Sequence, residues 1–431
     1  MIRLICFLLL LISPAGFAQS TRPTIDDALN SIRTAFDAAA GDASAARQEL
    51  AAANARVDAL AAEVDRLRPR MGVGANLFNK KWGRETRDFW PAGINWATVE
   101  NPWRADFLAD MSIYSSIRFM DLDRTNASDI RTWSQRVQMR EDQYAPQRMA
   151  YEWMIDLCNR LNVDAWICMP HLTIEDYEAN PASNYWVQCA KLFRERLKPN
   201  LKVYVEYSNE VWNWGFGQSK YASERGVKMG MGNPDESRFT FNVYAFARMA
   251  EVWEREFAGQ RGRLVTVLGG QLVDQWRLER LVVTSLKSER INPKRIKPDA
   301  YAIATYVGNL SNMNGAAPDV RDLWMAELDK VVGHLKKTRE VIRKGFENPE
   351  TPIIAYEGGS HVTTNARAMR ENPAMYEMYT AWLERTAPYV PLTLVYCHNG
   401  GWDWGAKERT EQPVEAAHGY RAMRDYLDAG K

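Results

Sequence analysis

The stretch Val203-Tyr-Val-Glu-Tyr-Ser-Asn-Glu210 begins as an apolar, β-rich run and ends on a carboxylate. Pro352-Ile-Ile-Ala-Tyr-Glu357 repeats this pattern and is followed by the turn residues Gly358-Gly359. Short apolar runs bounded by turn signals are typical of buried strands. We therefore predict two strands of one sheet, each of which presents a glutamate at its carboxyl end.

Strand-like runs of the same kind recur after Pro69 and alternate with helix-like segments. The eight predicted strands are Gly72–Leu77, Ser116–Met120, Ala165–Met169, Val203–Tyr207, Leu264–Leu268, Tyr301–Thr305, Pro352–Tyr356 and Leu392–Tyr396. The helix-like segments include Arg148–Leu161, Tyr185–Leu197, Arg238–Phe257, Asp319–Lys344 and Arg367–Arg385. This alternation over about 350 residues predicts a (β/α)8 barrel spanning residues 71–431. A doubly wound open sheet is the alternative, although no glycine-rich phosphate loop supports it.

Residues 1–18 have the pattern of a secretory signal peptide. Arg3 supplies the positive charge, Leu4 to Ile12 the apolar run, and Gly16-Phe17-Ala18 the cleavage site. We expect a secreted or periplasmic protein. An uncleaved anchor is the alternative, although the apolar run is too short to span a bilayer comfortably.

Residues 24–68 form a second segment, rich in alanine and charge. Apolar residues recur in alternating steps of four and three from Ile25 to Leu67, which is the pattern of a coiled-coil seam. Gly41 and the many alanines weaken this seam, because glycine is a poor helix former and alanine buries little surface. We predict a long helix that forms a homo-oligomer through residues 25–67. A helix packed back on the catalytic domain is the alternative.

Overall charge and cysteine content restrict the kinds of partner and site. Lys and Arg number 55 against 54 Asp and Glu, which gives no reason to expect nucleic acid or an anionic membrane as partner. No spacing of Cys and His resembles a zinc site, so we expect no metal and no cofactor. A disulfide between Cys158 and Cys189 is possible in an exported protein, and the sequence leaves it open.

Polar residues stand at the ends of the predicted strands, where the active site of a (β/α)8 barrel lies. We expect these side chains to meet in one pocket: Asn76, Arg118, His171, Asn209, Glu210, Tyr306, Glu357, His398 and Trp402. Tryptophans flank both ends of the set, in Trp212-Asn213-Trp214-Gly215 and Trp402-Asp403-Trp404-Gly405. Trp rings stack on sugars as well as they pack in cores, and we take Trp212 and Trp402 as substrate-binding candidates.

Two carboxyl groups on one sheet are what hydrolysis of a glycosidic bond requires. Glu357 would be the ionised nucleophile, because a cation such as Arg118 lowers the pKa of a neighbouring carboxyl group. Tyr306 would donate a hydrogen bond to it. Glu210 would act first as acid and then as base. Glu206 competes for this role, since strand alternation points it to the same side, one layer deeper.

This arrangement resembles the clan A glycoside hydrolases, the retaining (β/α)8 enzymes that include the family 5 cellulases and mannanases. In that clan the acid/base glutamate follows an asparagine at the end of strand four, and the nucleophile ends strand seven. The resemblance therefore implies these roles for Glu210, Glu357 and the 2-hydroxyl-binding Asn209. The family 5 branch also has residues similar in type and place to Arg118, His171, Tyr306 and Trp402. This chain has Asn-Glu-Val where family 5 has Asn-Glu-Pro.

The sequence thus predicts an exported retaining glycosidase that acts on a poly- or oligosaccharide. One alternative is a non-catalytic sugar-binding barrel. Another is a transglycosylase that remodels exported polysaccharide with the same residues. A Ser-His-Asp triad is not favoured, because Ser360-His361 lacks the Gly-x-Ser-x-Gly elbow.

Overall fold

The computed structural model describes residues 71–77, 89–122, 124–144, 147–308, 313–400 and 405–429. They belong to the second of two units into which the chain divides, Pro69–Lys431. The signal peptide, the helix of residues 24–68 and the oligomer contact through residues 25–67 lie outside the described residues. These three stay predictions.

Eight parallel strands pair in chain order and close into a barrel, with β8 beside β1. The strands are β1 (Gly72–Asn76), β2 (Ser116–Arg118), β3 (Asp164–Met169), β4 (Val203–Tyr207), β5 (Leu264–Gly269), β6 (Ala300–Val307), β7 (Ile353–Ser360) and β8 (Leu392–Val395). The predicted (β/α)8 barrel is confirmed, and the open-sheet alternative is wrong. A small parallel pair, β9 (Cys397–Asn399) and β10 (Gly405–Lys407), follows β8.

Helices connect the strands and cover the barrel. They are α1 (Ala105–Met111), α2 (Tyr151–Leu161), α3 (Thr173–Ala179), α4 (Tyr185–Arg196), α5 (Gly217–Lys228), α6 (Pro234–Glu256), α7 (Gln275–Arg277), α8 (Thr284–Lys287), α9 (Val320–Gly345), α10 (Ala366–Glu371), α11 (Ala374–Thr386) and α12 (His418–Asp428). A π-helical turn, Leu278–Val283, joins α7 to α8. The described residues also form 3₁₀ segments at Trp133–Gln135, Ala258–Arg263 and Val414–Ala416. Within the described ranges, no helix combines the length and apolarity needed to cross a membrane.

Two helix predictions differ from the structure for local reasons. Helix α6 begins at Pro234 rather than Arg238, because the Asn233 side chain accepts hydrogen bonds from the first backbone N–H groups and proline suits the first turn. The segment predicted as one helix, Arg367–Arg385, is divided into α10 and α11. Pro373 stands between them, and proline lacks the N–H group that a continuous helix needs.

Apolar side chains form two separate cores. A large outer cluster lies between the strands and the helices, and a smaller inner cluster fills the barrel. The inner cluster consists of Trp166, Val267, Ala300, Ala302, Ile354, Tyr356, Leu392 and Leu394, with Tyr204, Val265 and Ala304 packed against it. The barrel is therefore a packed core with no central pore, and polar chemistry is left to the carboxyl ends of the strands.

The cysteines of the barrel are all buried. Cys158 on α2 is a free thiol, so the disulfide with Cys189 that the sequence left open is not formed. Burial raises the pKa of the Cys158 thiol well above its ordinary value. A buried thiol of this kind is a packing residue and not a reactive one.

Gly74 on β1 gives a test of the barrel packing. A Cβ atom at this position would lie 2.5 Å from the Ser116 carbonyl oxygen and 2.9 Å from the Leu394 side chain. We expect Gly74→Ala to reduce the free energy of unfolding by about 1–3 kcal/mol through overpacking, measured by thermal unfolding. The control is Gly259→Ala, whose Cβ would meet no atom within 4 Å. Equal melting temperatures for the two variants would contradict the packing.

Candidate active site

The Arg118 guanidinium, fully buried at the end of β2, is the centre of a hydrogen-bond network at the carboxyl ends of the strands. Its Nη1 atom donates to Glu357 Oε1 at 3.1 Å and to Asn76 Oδ1 at 3.2 Å. Its Nη2 atom donates to Glu206 Oε2 at 3.0 Å and to Asn209 Oδ1 at 2.8 Å. The Arg118 side chain therefore connects β2 to β1, to β7, to β4 and to the loop that follows β4.

Aromatic rings and a fixed amide hold Arg118 in this position. The guanidinium lies 5.4 Å from the Trp166 ring centroid and 5.0 Å from that of Tyr356, within the range of cation–π attraction. The Asn76 amide donates to the carbonyl oxygens of Tyr356 at 2.9 Å and Val395 at 3.1 Å. Because its Nδ2 atom is used in this way, its Oδ1 atom faces the arginine.

Glu357 lies inside β7 rather than at its end, because the strand continues to Ser360. Its Oε2 atom accepts a hydrogen bond from the Tyr306 hydroxyl at 3.0 Å, and its Oε1 atom is the acceptor for Arg118. The side chain is 5% exposed. The predicted partners of Glu357 are thus both in contact with it.

A β-bulge in β7 determines which side chains enter the barrel. Ala355 pairs with Ile303 and Glu357 pairs with Ala304, so Tyr356 is an extra residue with no partner on β6. In a regular strand Tyr356 and Glu357 would point to opposite faces. Here Tyr356 belongs to the inner cluster, and Glu357 reaches Arg118. Bulges re-aim side chains in this way, and the sequence pattern does not reveal this one.

Glu210 follows β4 on a backbone in the left-handed region. Its φ is 44°, and that of Ser208 is 57°, although neither residue is glycine. Such conformations are costly and are typical of functional sites. The Glu210 carboxyl accepts hydrogen bonds from the Tyr356 hydroxyl at 3.2 Å and from Asn213 Nδ2 at 3.0 Å. Tyr356 and Asn213 were not among the predicted site residues.

The two carboxyl groups influence each other's protonation. Burial and the negative charge of Glu210 raise the pKa of Glu357 to about 8, against the lowering effects of Arg118 and Tyr306. Burial also raises the pKa of Glu210, against the hydrogen bond from Asn213 and the charge of Arg118. Two buried carboxyl groups of this kind do not ionise together at neutral pH. The pair therefore shares one proton, and the direct contact of Arg118 with Glu357 favours the arrangement in which Glu357 carries the negative charge and Glu210 the proton.

Asn209 is held at both ends of its amide. Its Oδ1 atom accepts from Arg118, and its Nδ2 atom donates to Asn126 Oδ1 at 3.1 Å. Gln218 donates to the same Asn126 oxygen and to the Asn209 carbonyl, each at 2.7 Å. Asn126 and Gln218 come from loop and helix segments that carry no motif, so sequence reasoning missed them.

His171 follows the end of β3, and its contacts are separate from the Arg118 hydrogen-bond network. It is 5% exposed, and its ring packs edge-on against Tyr221 at 5.1 Å. Its carbonyl oxygen accepts a hydrogen bond from the Tyr207 hydroxyl at 2.9 Å. Burial lowers the pKa of His171 to about 4. In the described part of the chain, no hydrogen bond joins His171 to Arg118 or to either candidate glutamate.

The tryptophans near Glu210 differ in exposure. Trp212 is partly buried against the outer core, whereas Trp214 is 42% exposed with the Arg238 guanidinium 4.2 Å from its ring centroid. Trp402 lies outside the described residues.

His398, expected at the pocket, packs instead against Phe107 on α1 and Tyr420 on α12, and its Nδ1 atom is 3.1 Å from the Tyr114 hydroxyl. The expectation was wrong because residues 397–399 form the separate strand β9, beyond the end of β8. His398 therefore belongs to the packing between the barrel and its helices.

No family model and no curated protein matches the chain. Solved structures do. A GH5-4 broad specificity endoglucanase from an uncultured bacterium is 13% identical, with 84% of this chain and 95% of that chain covered and a TM-score of 0.48. An α-L-arabinofuranosidase from Thermotoga maritima is 15% identical, with 84% and 70% covered and a TM-score of 0.47. A GH51 arabinofuranosidase from Xanthomonas axonopodis pv. citri is 13% identical, with 77% and 66% covered and a TM-score of 0.46.

These neighbours are glycoside hydrolases, the kind of protein that the sequence resemblance predicted, and they single out no one family. At these identities the likeness is one of fold. The activity of this chain is inferred from the geometry of Arg118, Glu210 and Glu357.

The proton that Glu210 and Glu357 share at neutral pH makes the stability of the protein depend on pH. Between the pKa of an unfolded glutamate and about 8, the folded protein binds more protons than the unfolded chain, so the wild type loses stability as the pH rises. Glu357→Gln removes this contribution. We expect the unfolding free energy of Glu357→Gln to improve relative to the wild type from about pH 5 to about pH 8, measured by denaturant titration. Parallel pH dependences for the two proteins would refute the raised pKa.

Proposed function

We propose that this protein is an exported retaining glycoside hydrolase that cleaves a poly- or oligosaccharide by double displacement, with Glu357 as nucleophile and Glu210 as acid/base. The observation that supports this most is the unequal surroundings of the two glutamates. Glu357 accepts from a buried cation and a phenol, whereas Glu210 accepts from the neutral groups of Tyr356 and Asn213. Pairs of carboxyl groups held in different protonation states are the requirement for this chemistry.

In the first step, the Glu357 carboxylate attacks the anomeric carbon. Glu210 donates its proton to the departing glycosidic oxygen, and a covalent glycosyl ester forms on Glu357. Arg118 and Tyr306 hold the nucleophile in one orientation, and their hydrogen bonds favour its ionised form. As the ester forms, the negative charge on Glu357 disappears.

In the second step, Glu210 has lost its proton and acts as base. It takes a proton from water, and that water attacks the anomeric carbon and releases Glu357 with the original configuration at the sugar. Glu210 ends in its starting protonation state. Asn209, fixed by Arg118 and Asn126, is proposed to bind the sugar 2-hydroxyl, a contact that strengthens in the transition state.

The roles of the glutamates predict distinct variants. Glu357→Ala is expected to lose activity by about three orders of magnitude or more on a polysaccharide panel assayed by reducing-sugar release, because no covalent intermediate forms. Glu210→Ala is expected to keep the first step on aryl glycosides with good leaving groups, since these need no acid. Azide needs no base, so it should restore turnover and give a glycosyl azide of retained configuration. Azide products of inverted configuration from Glu210→Ala would contradict the assignment.

Glu206→Gln is the matched control on the same strand. Glu206 contacts Arg118 at 3.0 Å and the Trp166 indole at 3.2 Å, but it lies deeper in the barrel than Glu210. The Glu206→Gln substitution should therefore reduce activity on substrates with poor leaving groups less than Glu210→Gln does. The reverse order would move the acid/base role to Glu206.

We also propose that the mature chain self-associates through residues 25–67, whose apolar heptad positions need a partner helix. Light scattering on the mature chain and on a version that begins at Met71 tests this, and only the longer one is expected to be an oligomer. The shorter version should retain activity on small substrates, because the proposed catalytic residues all follow Met71. If both are monomers, the segment does not associate.

A further inference from the structure

The Tyr356 hydroxyl lies within hydrogen-bond distance of two acceptors. Glu210 Oε1 is 3.2 Å away, and the Gly270 carbonyl oxygen is 3.3 Å away. A phenol carries a single proton to donate. The hydroxyl therefore donates to one of these acceptors at a time, and the two distances are nearly equal.

The Tyr356 ring itself is fixed. It is 1% exposed in the inner cluster, and the Arg118 guanidinium lies 5.0 Å from its centroid. The Tyr356 carbonyl accepts the Asn76 amide at 2.9 Å, which holds the bulged backbone. Rotation of the O–H bond alone is enough to change the hydrogen-bond partner, and the ring does not need to move.

The charge on Glu210 determines which of the two acceptors receives the hydrogen bond from Tyr356. Hydrogen bonds to an ionised carboxylate are roughly twice as strong as those between neutral groups. When Glu210 is ionised, its carboxylate accepts the hydrogen bond from the Tyr356 hydroxyl in preference to the Gly270 carbonyl. When Glu210 is protonated, this advantage disappears and the carbonyl competes on equal terms.

We propose that Tyr356 is a positioning residue whose hydroxyl follows the protonation of Glu210: it donates to the Glu210 carboxylate when Glu210 serves as base, and it is released to donate to the Gly270 carbonyl as well when Glu210 holds the proton. The role in turnover rests on the proposed function. The alternation of the hydrogen bond rests only on Tyr356, Glu210 and Gly270.

Other ionisable groups act on Glu210 from the surrounding strands. They are Arg118 on β2, Glu206 on β4, Tyr306 on β6, Glu357 on β7 and Tyr396 after β8. A Tyr356→Phe substitution leaves all of these in place and removes one hydroxyl from a ring of the same shape. Its effect on the titration of Glu210 is therefore specific to the hydrogen bond.

The experiment is the pH profile of Tyr356→Phe on an activated aryl glycoside and on an oligosaccharide. A hydrogen bond to a carboxylate lowers its pKa, so its loss should move the alkaline limb of kcat/KM to higher pH. With the activated substrate, where the second step limits turnover, kcat should fall by about tenfold or more while KM does not rise. Azide should restore much of this loss, because it does not need the base.

Tyr204→Phe is the matched control. Tyr204 is a tyrosine of β4 that packs against the same inner cluster, 5.5 Å from the Trp166 ring centroid. The Tyr204→Phe substitution should leave the alkaline limb of the kcat/KM profile at the same pH as in the wild type. The proposal is overturned if Tyr356→Phe and Tyr204→Phe give the same pH profile and the same kcat.

A second readout separates this proposal from the proposed function. If the wild type cleaves no substrate of the panel, the function fails, but the hydrogen bond is still measured by unfolding. Without the Tyr356 hydroxyl, the pKa of Glu210 in the folded protein rises further. As the pH increases above the pKa of an unfolded glutamate, Tyr356→Phe should therefore lose more stability than the wild type does. An unchanged difference between Tyr356→Phe and the wild type across the pH range would overturn the proposal.

Discussion

The buried Arg118 guanidinium is the constraint on which the rest of the site depends. A cation with no exposed surface must be paired and hydrogen-bonded, because the cost of removing it from water is several kcal/mol or more. Glu206 and Glu357 supply the opposite charges, and Asn76 and Asn209 supply neutral acceptors. Meeting this requirement brings side chains from β1, β4 and β7 to fixed positions around β2. The positions of Glu357 and Asn209 are therefore tied to the burial of one arginine.

The same constraint makes the two candidate carboxyl groups chemically different. Arg118 contacts Glu357 and not Glu210, so of the two ways in which the pair can hold one proton it favours the one with the negative charge on Glu357. The bulge at Tyr356 adds to this difference, because it lets one strand present the Glu357 carboxyl group to Arg118 and the Tyr356 phenol to Glu210. A regular β7 would keep Tyr356 on the inner face with Ile354 and would turn Glu357 to the outer face, away from Arg118.

The strain next to Glu210 fits this picture. Ser208 and Glu210 both adopt left-handed backbone conformations, which a chain keeps only where the surrounding contacts compensate for them. Here the compensation includes Tyr356 and Asn213 on the carboxyl group and Gln218 on the Asn209 carbonyl. The loop after β4 is thus fixed by hydrogen bonds from β7, from α5 and from its own residue Asn213.

The barrel and the layout of the strand ends were predictable from the sequence. Apolar runs, their alternation with helices, and the polar residue after each run are local patterns, so Arg118, Glu210, Glu357 and Tyr306 were identified from them. Tertiary structure decided the rest. Tyr356, Asn126 and Gln218 contact the candidate site residues, and His398 packs elsewhere. These placements depend on contacts between residues that are distant in the sequence. Periodicity in the chain reports which face of a strand is apolar, but not which side chains meet across a closed barrel.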